Sequence, residues 1–276
     1  MTGSGWPGVP GPALLFCPAD RPDRYGKALA AADGVILDLE DAVAPDRKDA
    51  ARRALVEHPV DPERTVVRVN PAGTADHRAD LAALAATAYR TVLLAKAESP
   101  GDLTGLAGHR VVALCETPRG VSAAAELARA QPVVGLMWGS EDLVAGTGGT
   151  ASRFPDGTLR DLARWARVQV LLAAAAEGKA AVDTVHLDVA DEAGLAREAE
   201  DAFASGFAVK ACIHPRQVPT VRTAARPSAE RAAWARRVLD AVSGGVALVD
   251  GVMVDEPLLR QARTVLARAG GHTGTP

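Results

Sequence analysis

Cysteine, basic excess and long apolar runs are all scarce in this chain, and each scarcity removes a class of explanation. The three cysteines, Cys17, Cys115 and Cys212, share no metal-ligand spacing, and each sits in a strand-like apolar run. They read as buried thiols, not as a disulfide framework or a zinc site. A formal net charge of −3 leaves no surplus of cations for phosphates, so a general nucleic-acid binder is excluded. The longest apolar run, Val170–Ala176, is far too short to span a bilayer. The first twelve residues have neither a basic segment nor an apolar one, so they read as a disordered leader and not a signal peptide. A cytoplasmic protein without nucleic-acid or membrane partners is expected.

What the chain does have is alternation. Apolar runs of four to eight residues begin at Ala13, Gly34, Thr65, Thr91, Val111, Val133, Val182 (through Val189) and Val209. Most are continuous, as in strands buried on both faces. Helical stretches separate them at Asp23–Ala32, Arg47–Glu57, Asp76–Ala88, Gly120–Ala130, Leu159–Glu177 and Asp191–Ser205, with a weaker one at Pro100–Gly108. Eight strands with helical connections in 276 residues predict an α/β fold of the (β/α)8 TIM-barrel type. A doubly wound sheet is disfavoured, because no G-x-G-x-x-G follows the first strand. The barrel is expected over 13–227. A C-terminal helical extension over 228–276, packing on the barrel or on a neighbouring subunit, would carry helices at Ala229–Ala241 and Glu256–Ala269 and a strand-like piece at Val246–Val249.

In such barrels the active site lies at the C-terminal ends of the strands. Strand two ends in Asp38-Leu39-Glu40-Asp41, strand three in Arg68-Val69-Asn70 and strand four in Lys96-Ala97-Glu98. Strand five ends in Glu116-Thr117-Pro118-Arg119-Gly120, strand six in Gly139-Ser140-Glu141-Asp142 and strand eight in His214-Pro215. A single charge after a strand is usually a solvated loop residue or a helix cap, and Thr117 and Asp142 fit caps. Charges at most of eight strand ends, however, would repel one another unless a metal or ligand organised them. The acidic set Asp38, Glu40, Glu116, Glu141 and Asp142 offers only hard oxygen donors. That selects Mg²⁺ or Mn²⁺ over Zn²⁺. Arg68 nearby points to an anionic substrate, since a guanidinium holds a carboxylate by two parallel hydrogen bonds.

These segments also carry a resemblance. Leu15-Phe16-Cys17-Pro18-Ala19, Val35 to Val43, Val67-Arg68-Val69-Asn70-Pro71, Leu114 to Gly120, Trp138 to Leu143, Ala181 to Val185, Gly206-Phe207, Lys210 to Gln217 and Asp250 to Asp255 stand in the order and spacing of one family. Over nearly the whole chain it resembles the citrate lyase beta-subunit-like family of the HpcH/HpaI aldolase superfamily. The resemblance implies a TIM barrel, trimeric or hexameric, with the divalent metal on Glu116 and Asp142 and the keto-acid end of the substrate on Arg68. It implies that Phe16, Lys27 and Arg47 meet the coenzyme A moiety. It makes Asp255 the catalytic acid/base, entering a neighbouring subunit's site. The implied reaction is Mg²⁺-dependent cleavage or formation of a citramalyl-, malyl- or citryl-CoA from a 2-keto acid and an acyl thioester.

Other residues read more plainly. Asp255, two residues before Pro257, also suits an N-cap of the last helix. His186 reads as a satisfied histidine within an apolar strand, His214 as structural or substrate-lining, and Trp138 as barrel core. Lys96 fits a Schiff-base aldolase, which the carboxylate set makes redundant. Three rival functions stand beside the main one. They are a Mg²⁺ 2-keto acid aldolase without coenzyme A, a citrate lyase subunit acting on an acyl-carrier-protein thioester, and a non-catalytic paralogue, against which the joint presence of Arg68, Glu116, Asp142 and Asp255 argues.

Overall fold

The computed structural model describes residues 8–241 and 247–270. They belong to two compact units, one ending at Val221 and the other beginning at Arg222. The first unit is built on β1 (Ala13–Pro18), β2 (Gly34–Asp38), β3 (Thr65–Val69), β4 (Thr91–Leu94), β5 (Arg110–Cys115), β6 (Val133–Trp138), β7 (Ala180–Asp183) and β8 (Val209–Cys212). All pair in parallel in chain order, and β8 closes on β1. This is the expected (β/α)8 barrel.

The strands are continuous apolar runs because both faces are covered. Leu14, Ile36, Val66, Leu93, Val112, Leu114, Met137, Val182 and Val209 point inward and fill the barrel. Intervening residues such as Leu37, Val67, Leu94 and Cys115 are equally buried. All three cysteines are free and buried, as expected. Of the expected disordered leader, residues 1–7 lie outside the described residues, while 8–12 are ordered. Val9 is buried in the barrel core, and the Pro12 carbonyl accepts from the Lys210 amide. Burying the valine removes apolar surface from water, which offsets the entropy of ordering this short stretch.

Surrounding helices are α1 (Pro22–Ala31), α2 (Lys48–Glu57), α3 (Ala75–Leu84), α4 (Pro118–Ser122), α5 (Ala124–Arg129), α6 (Glu141–Gly146), α7 (Asp161–Ala176), α8 (Glu192–Ser205) and α9 (Gln217–Ala225). Several start where a side chain satisfies an orphan amide: Thr74 accepts from His77 N, Thr117 from Gly120 N and Asp191 from Gly194 N. The weak stretch after β4 is only a 3₁₀ turn, Pro100–Leu103.

The second unit holds α10 (Ala229–Asp240), β9 (Ala247–Val249), β10 (Val252–Val254) and α11 (Glu256–Gly270). Val246, expected to open a strand, lies outside the described residues. β9 and β10 form an antiparallel hairpin whose two-residue turn, Asp250-Gly251, has φ of 52° and 79°. Positive φ at both positions is what a type I′ turn requires. Val249, Val254, Ala235, Val238, Leu259 and Ala262 make this unit's core. No helix among the described residues is long and apolar enough to cross a membrane.

Candidate active site

The register of β2 against β3 sets Asp38 beside Arg68. Both are buried, and the guanidinium lies bidentate on the carboxylate, with Nε to Oδ1 and Nη2 to Oδ2 each at 2.6 Å. Asp38 also accepts from the backbone amides of Glu40 and Ala42, so it folds the β2–α2 loop while it clamps the arginine. Nη1 of Arg68 lies 3.0 Å from Glu40, and the guanidinium carbon sits 5.0 Å from the centre of the Phe16 ring. Burial opposes the Arg68 charge, but the hydrogen bond and field of Asp38 outweigh it and raise its pKa. N–H groups on both Nη atoms remain for a ligand.

A second layer fixes this loop. Lys48 donates to the Leu39 and Glu40 carbonyls and to Asn70 Oδ1. Asn70 Nδ2 in turn donates to the buried Asp80, which Arg52 holds at 2.8 Å.

Across the mouth, Glu116 follows β5 and Asp142 lies in the first turn of α6. Lys96, after β4, sits between them. Its ammonium is 2.5 Å from Glu40, 3.4 Å from Asp142, 3.7 Å from Asp41 and 3.9 Å from Glu116. Its backbone is left-handed, at φ 49°, and its amide donates to Glu116 Oε1. Glu116 needs the neighbouring glycine. A Cβ on Gly139 would stand 2.8 Å from both the Cβ and Oε2 of Glu116. Gly120 has a comparable duty: a Cβ there would meet the Ala97 carbonyl at 2.4 Å, so glycine lets α4 start against the β4 loop.

Burial, then repulsion from Asp142, pushes the Glu116 carboxyl up to about 8, against the opposing pull of Lys96 and Arg68. Burial raises Glu40 as well, while Arg68 and Lys96 oppose it. Burial disfavours the Lys96 charge, but Glu40, Glu116 and Asp142 more than reverse this and raise its pKa. A lysine held so firmly protonated is unsuited to forming a Schiff base.

Glu116 and Asp142 therefore converge on a point that already accommodates a cation, and they supply hard oxygens. Among the described residues no three His, Cys, Asp or Glu side chains form a ready-made metal cage. Mg²⁺ asks for less, being commonly held by one or two carboxylates with waters and substrate oxygens. The residues fit that ion.

Other expected site residues are placed differently. Asp38 is occupied by Arg68, and Glu141 turns away to accept from the Ser140 and Ser152 hydroxyls. Phe16 is part of the mouth. Lys27 is exposed on α1, and Arg47 is exposed beyond β2, 3.4 Å from Asp20. Asp255 belongs to the second unit, where it is exposed and accepts from Leu258 N as the N-cap of α11. Thr117 caps α4, and His214 Nδ1 accepts from the Arg216 amide within a turn.

One reading needs correction. His186 is not inside a strand, because β7 ends at Asp183. It is buried in the loop that follows, its ring nitrogens 3.1 Å from Glu198 and 3.3 Å from Asp191. Trp138 is fully buried in the core, as expected. Its indole donates at 2.7 Å to Asp183, which Arg167 and the fully buried Lys210 also engage. Trp138, Asp183, Arg167 and Lys210 thus satisfy one another.

The family model described as HpcH/HpaI aldolase/citrate lyase matches residues 13–109 and 105–215. The chain is 58% identical over 265 residues to a citrate lyase subunit beta-like protein of Mycobacterium tuberculosis, covering 95% of this chain and 97% of that one. It is 30% identical over 297 residues to human mitochondrial citramalyl-CoA lyase, covering 95% and 86%. A crystal structure of protein CitE from Mycobacterium tuberculosis with magnesium, acetoacetate and coenzyme A superposes with a TM-score of 0.92 at 58% identity, covering 95% of this chain and 99% of that one.

Proposed function

The chain belongs to the HpcH/HpaI aldolase/citrate lyase family and is a carbon–carbon lyase of that family, and we propose that it cleaves or forms a 3-hydroxyacyl-CoA thioester with Mg²⁺ as cofactor. The observation that carries this reading is the convergence of Glu116 and Asp142 on one cation position beside Arg68. Magnesium, acetoacetate and coenzyme A together in the related CitE support it. The substrate class comprises citramalyl-, malyl- and citryl-CoA, made from a 2-keto acid and an acyl thioester.

Glu116 and Asp142 would hold the ion, which polarises the carbonyl of the keto acid when bound. Arg68, with its orientation set by Asp38, directs its remaining N–H groups at the keto-acid carboxylate and at the oxygen where charge develops. In the lyase direction a base takes the hydroxyl proton from C3, the C2–C3 bond breaks, and its electron pair passes into a thioester enolate. Protonation of that enolate at carbon gives the acyl thioester. Asp255 is our candidate for moving these protons, acting in a neighbouring subunit of a trimer or hexamer; its capping bond uses one carboxylate oxygen and leaves the other. Phe16, Lys27 and Arg47 are proposed to meet the coenzyme A moiety, Phe16 having its ring already at the mouth. Three free thiols suit a reducing cytoplasm.

The test is direct. Purified protein with Mg²⁺ is offered citramalyl-, malyl- and citryl-CoA side by side, and keto-acid release is followed. Cleavage of at least one, abolished by chelator and restored by Mg²⁺, is expected. Inertness towards all three, with activity on an acyl-carrier-protein thioester, would move the chain to the carrier-dependent subunit class. Cleavage of free 2-keto acid aldols alone would make it an aldolase without coenzyme A.

A further inference from the structure

Lys96 has no task in the reaction just described, yet it lies at the centre of the site. Its ammonium is within 4 Å of four carboxylates, from the β2–α2 loop (Glu40, Asp41), the end of β5 (Glu116) and α6 (Asp142). The chain reaches this position through a left-handed backbone that a residue with a Cβ rarely adopts. Such a conformation persists only where the surroundings impose it, and here the Lys96 amide is tied to Glu116 Oε1 while its side chain is tied to Glu40.

We propose that Lys96 is a resident counter-cation of the metal site, which occupies the position between Glu116 and Asp142 in the metal-free protein and yields it to Mg²⁺. The proposal rests on the reading of those two carboxylates as the metal-holding pair. Two cations cannot share one carboxylate pair without repulsion, so Lys96 and Mg²⁺ compete. The ammonium has somewhere to go. Glu40, its nearest partner at 2.5 Å, and the half-exposed Asp41 both stand away from the β5–β6 side, on the β2 loop. Moving towards them keeps its hydrogen bond while clearing the space between Glu116 and Asp142. The lysine thus keeps the empty site from flying apart electrostatically and sets the metal's affinity below what the carboxylates alone would give.

The experiment compares Mg²⁺ binding by calorimetry, and melting of metal-free and Mg²⁺-loaded protein, in wild type, Lys96→Met, Lys96→Asn and Lys96→Arg. Asparagine is included because it removes the charge yet tolerates positive φ, which separates electrostatics from backbone strain. Both neutral variants should bind Mg²⁺ roughly tenfold more tightly, with a lower melting point when metal-free and a larger rise on adding Mg²⁺. Lys96→Arg should stay close to wild type. With only five lysines in the chain, ¹⁵N-lysine labelling of the unaltered protein gives a second readout that needs no neutral variant to fold. The Lys96 Nζ resonance should move on Mg²⁺ addition and the other four should not. Neutral variants that bind Mg²⁺ equally well or more weakly, or an unmoved Lys96 resonance at Mg²⁺ saturation, overturn the proposal alone. Absence of Mg²⁺ binding in every protein, wild type included, overturns the metal assignment and the proposal with it.

Discussion

Glu116→Gln should make the metal-free protein more stable at alkaline pH, with a much smaller gain in mild acid. Glu116 is 4% exposed, and burial with the Asp142 charge pushes its carboxyl from an ordinary 4.5 to about 8. Between those values the folded protein keeps a proton that the unfolded chain has released. Stability therefore falls as pH rises through this window, and the whole penalty is present above pH 8. From pH 5.5 to 8.5 the predicted loss is about 3 kcal/mol, taking 1.36 kcal/mol per pH unit over the part of the window crossed. Glutamine resembles the protonated acid and does not titrate, so that slope should vanish, apart from what Glu40, also raised by burial, still contributes. From pH 5.5 to pH 8.5 the variant should gain roughly 3 kcal/mol on the wild type. Urea unfolding of chelator-treated protein at pH 5.5, 7.0 and 8.5 measures both slopes. Parallel profiles for the two proteins would refute the reasoning, because Glu116 would then be ionised throughout. The same protonation bears on the metal. Below pH 8, Mg²⁺ must displace the proton, so its affinity should climb by up to about tenfold per pH unit and level off above pH 8.

Three further substitutions test neighbouring steps. Arg68→Lys should lower kcat/KM by on the order of 10²-fold, because an ammonium cannot hold Asp38 bidentately and still offer a second edge to substrate; steady-state rates with a cleaved thioester measure it, and a change under about threefold would make Arg68 structural. Gly139→Ala should weaken Mg²⁺ binding by about tenfold or more while destabilising by about 1–3 kcal/mol, since its Cβ lands 2.8 Å from the Glu116 carboxylate; calorimetry and denaturant titration read the two effects separately. Asp255→Asn should preserve stability, because asparagine caps α11 as well as aspartate does, and should cut activity by roughly 10²–10⁴-fold. Mixing it with an inactive Glu116→Ala protein should restore part of the activity if the two residues serve one site from different subunits.

The barrel was legible because burial on both faces leaves continuous apolar runs, and seven of the eight ended close to where expected. The seventh ran on: Val185-His186-Leu187-Asp188-Val189 looks like a strand, but β7 stops at Asp183, where the acid turns outward to Trp138, Arg167 and Lys210. Helix α9 escaped notice because Gln217–Ala225 is short and polar, with only Val218 and Val221 as buried apolar anchors. The β9–β10 hairpin carried its signal openly in Asp250-Gly251, read only as part of a longer motif. In the site, position after a strand identified the carboxylates but could not rank them. Asp38 and Glu116 look alike in one dimension. Pairing across β2 and β3 commits the first to Arg68, whereas the second packs against Gly139 and faces Lys96.

Charge at the mouth explains why those residues belong together. Asp38, Glu40, Glu116 and Asp142 bring four carboxylates within contact of two cations, Arg68 and Lys96. Asp41, half-exposed, is screened by water and adds little. With every group ionised the cluster carries two uncompensated negative charges, and keeping Glu116 protonated relieves one of them. Burial and Asp142 push it that way. A divalent cation relieves both, and it removes the need for the proton. The ion that hard oxygens and a barrel mouth would select is thus also the one whose charge closes this cluster. On the proposed function, an incoming keto acid would then meet a site with no net repulsion, with Arg68 edges left to hold its carboxylate. A monovalent ion could not do this. If Na⁺ at millimolar concentration supported activity as well as Mg²⁺ does, the cluster's charge would not be what selects its ion.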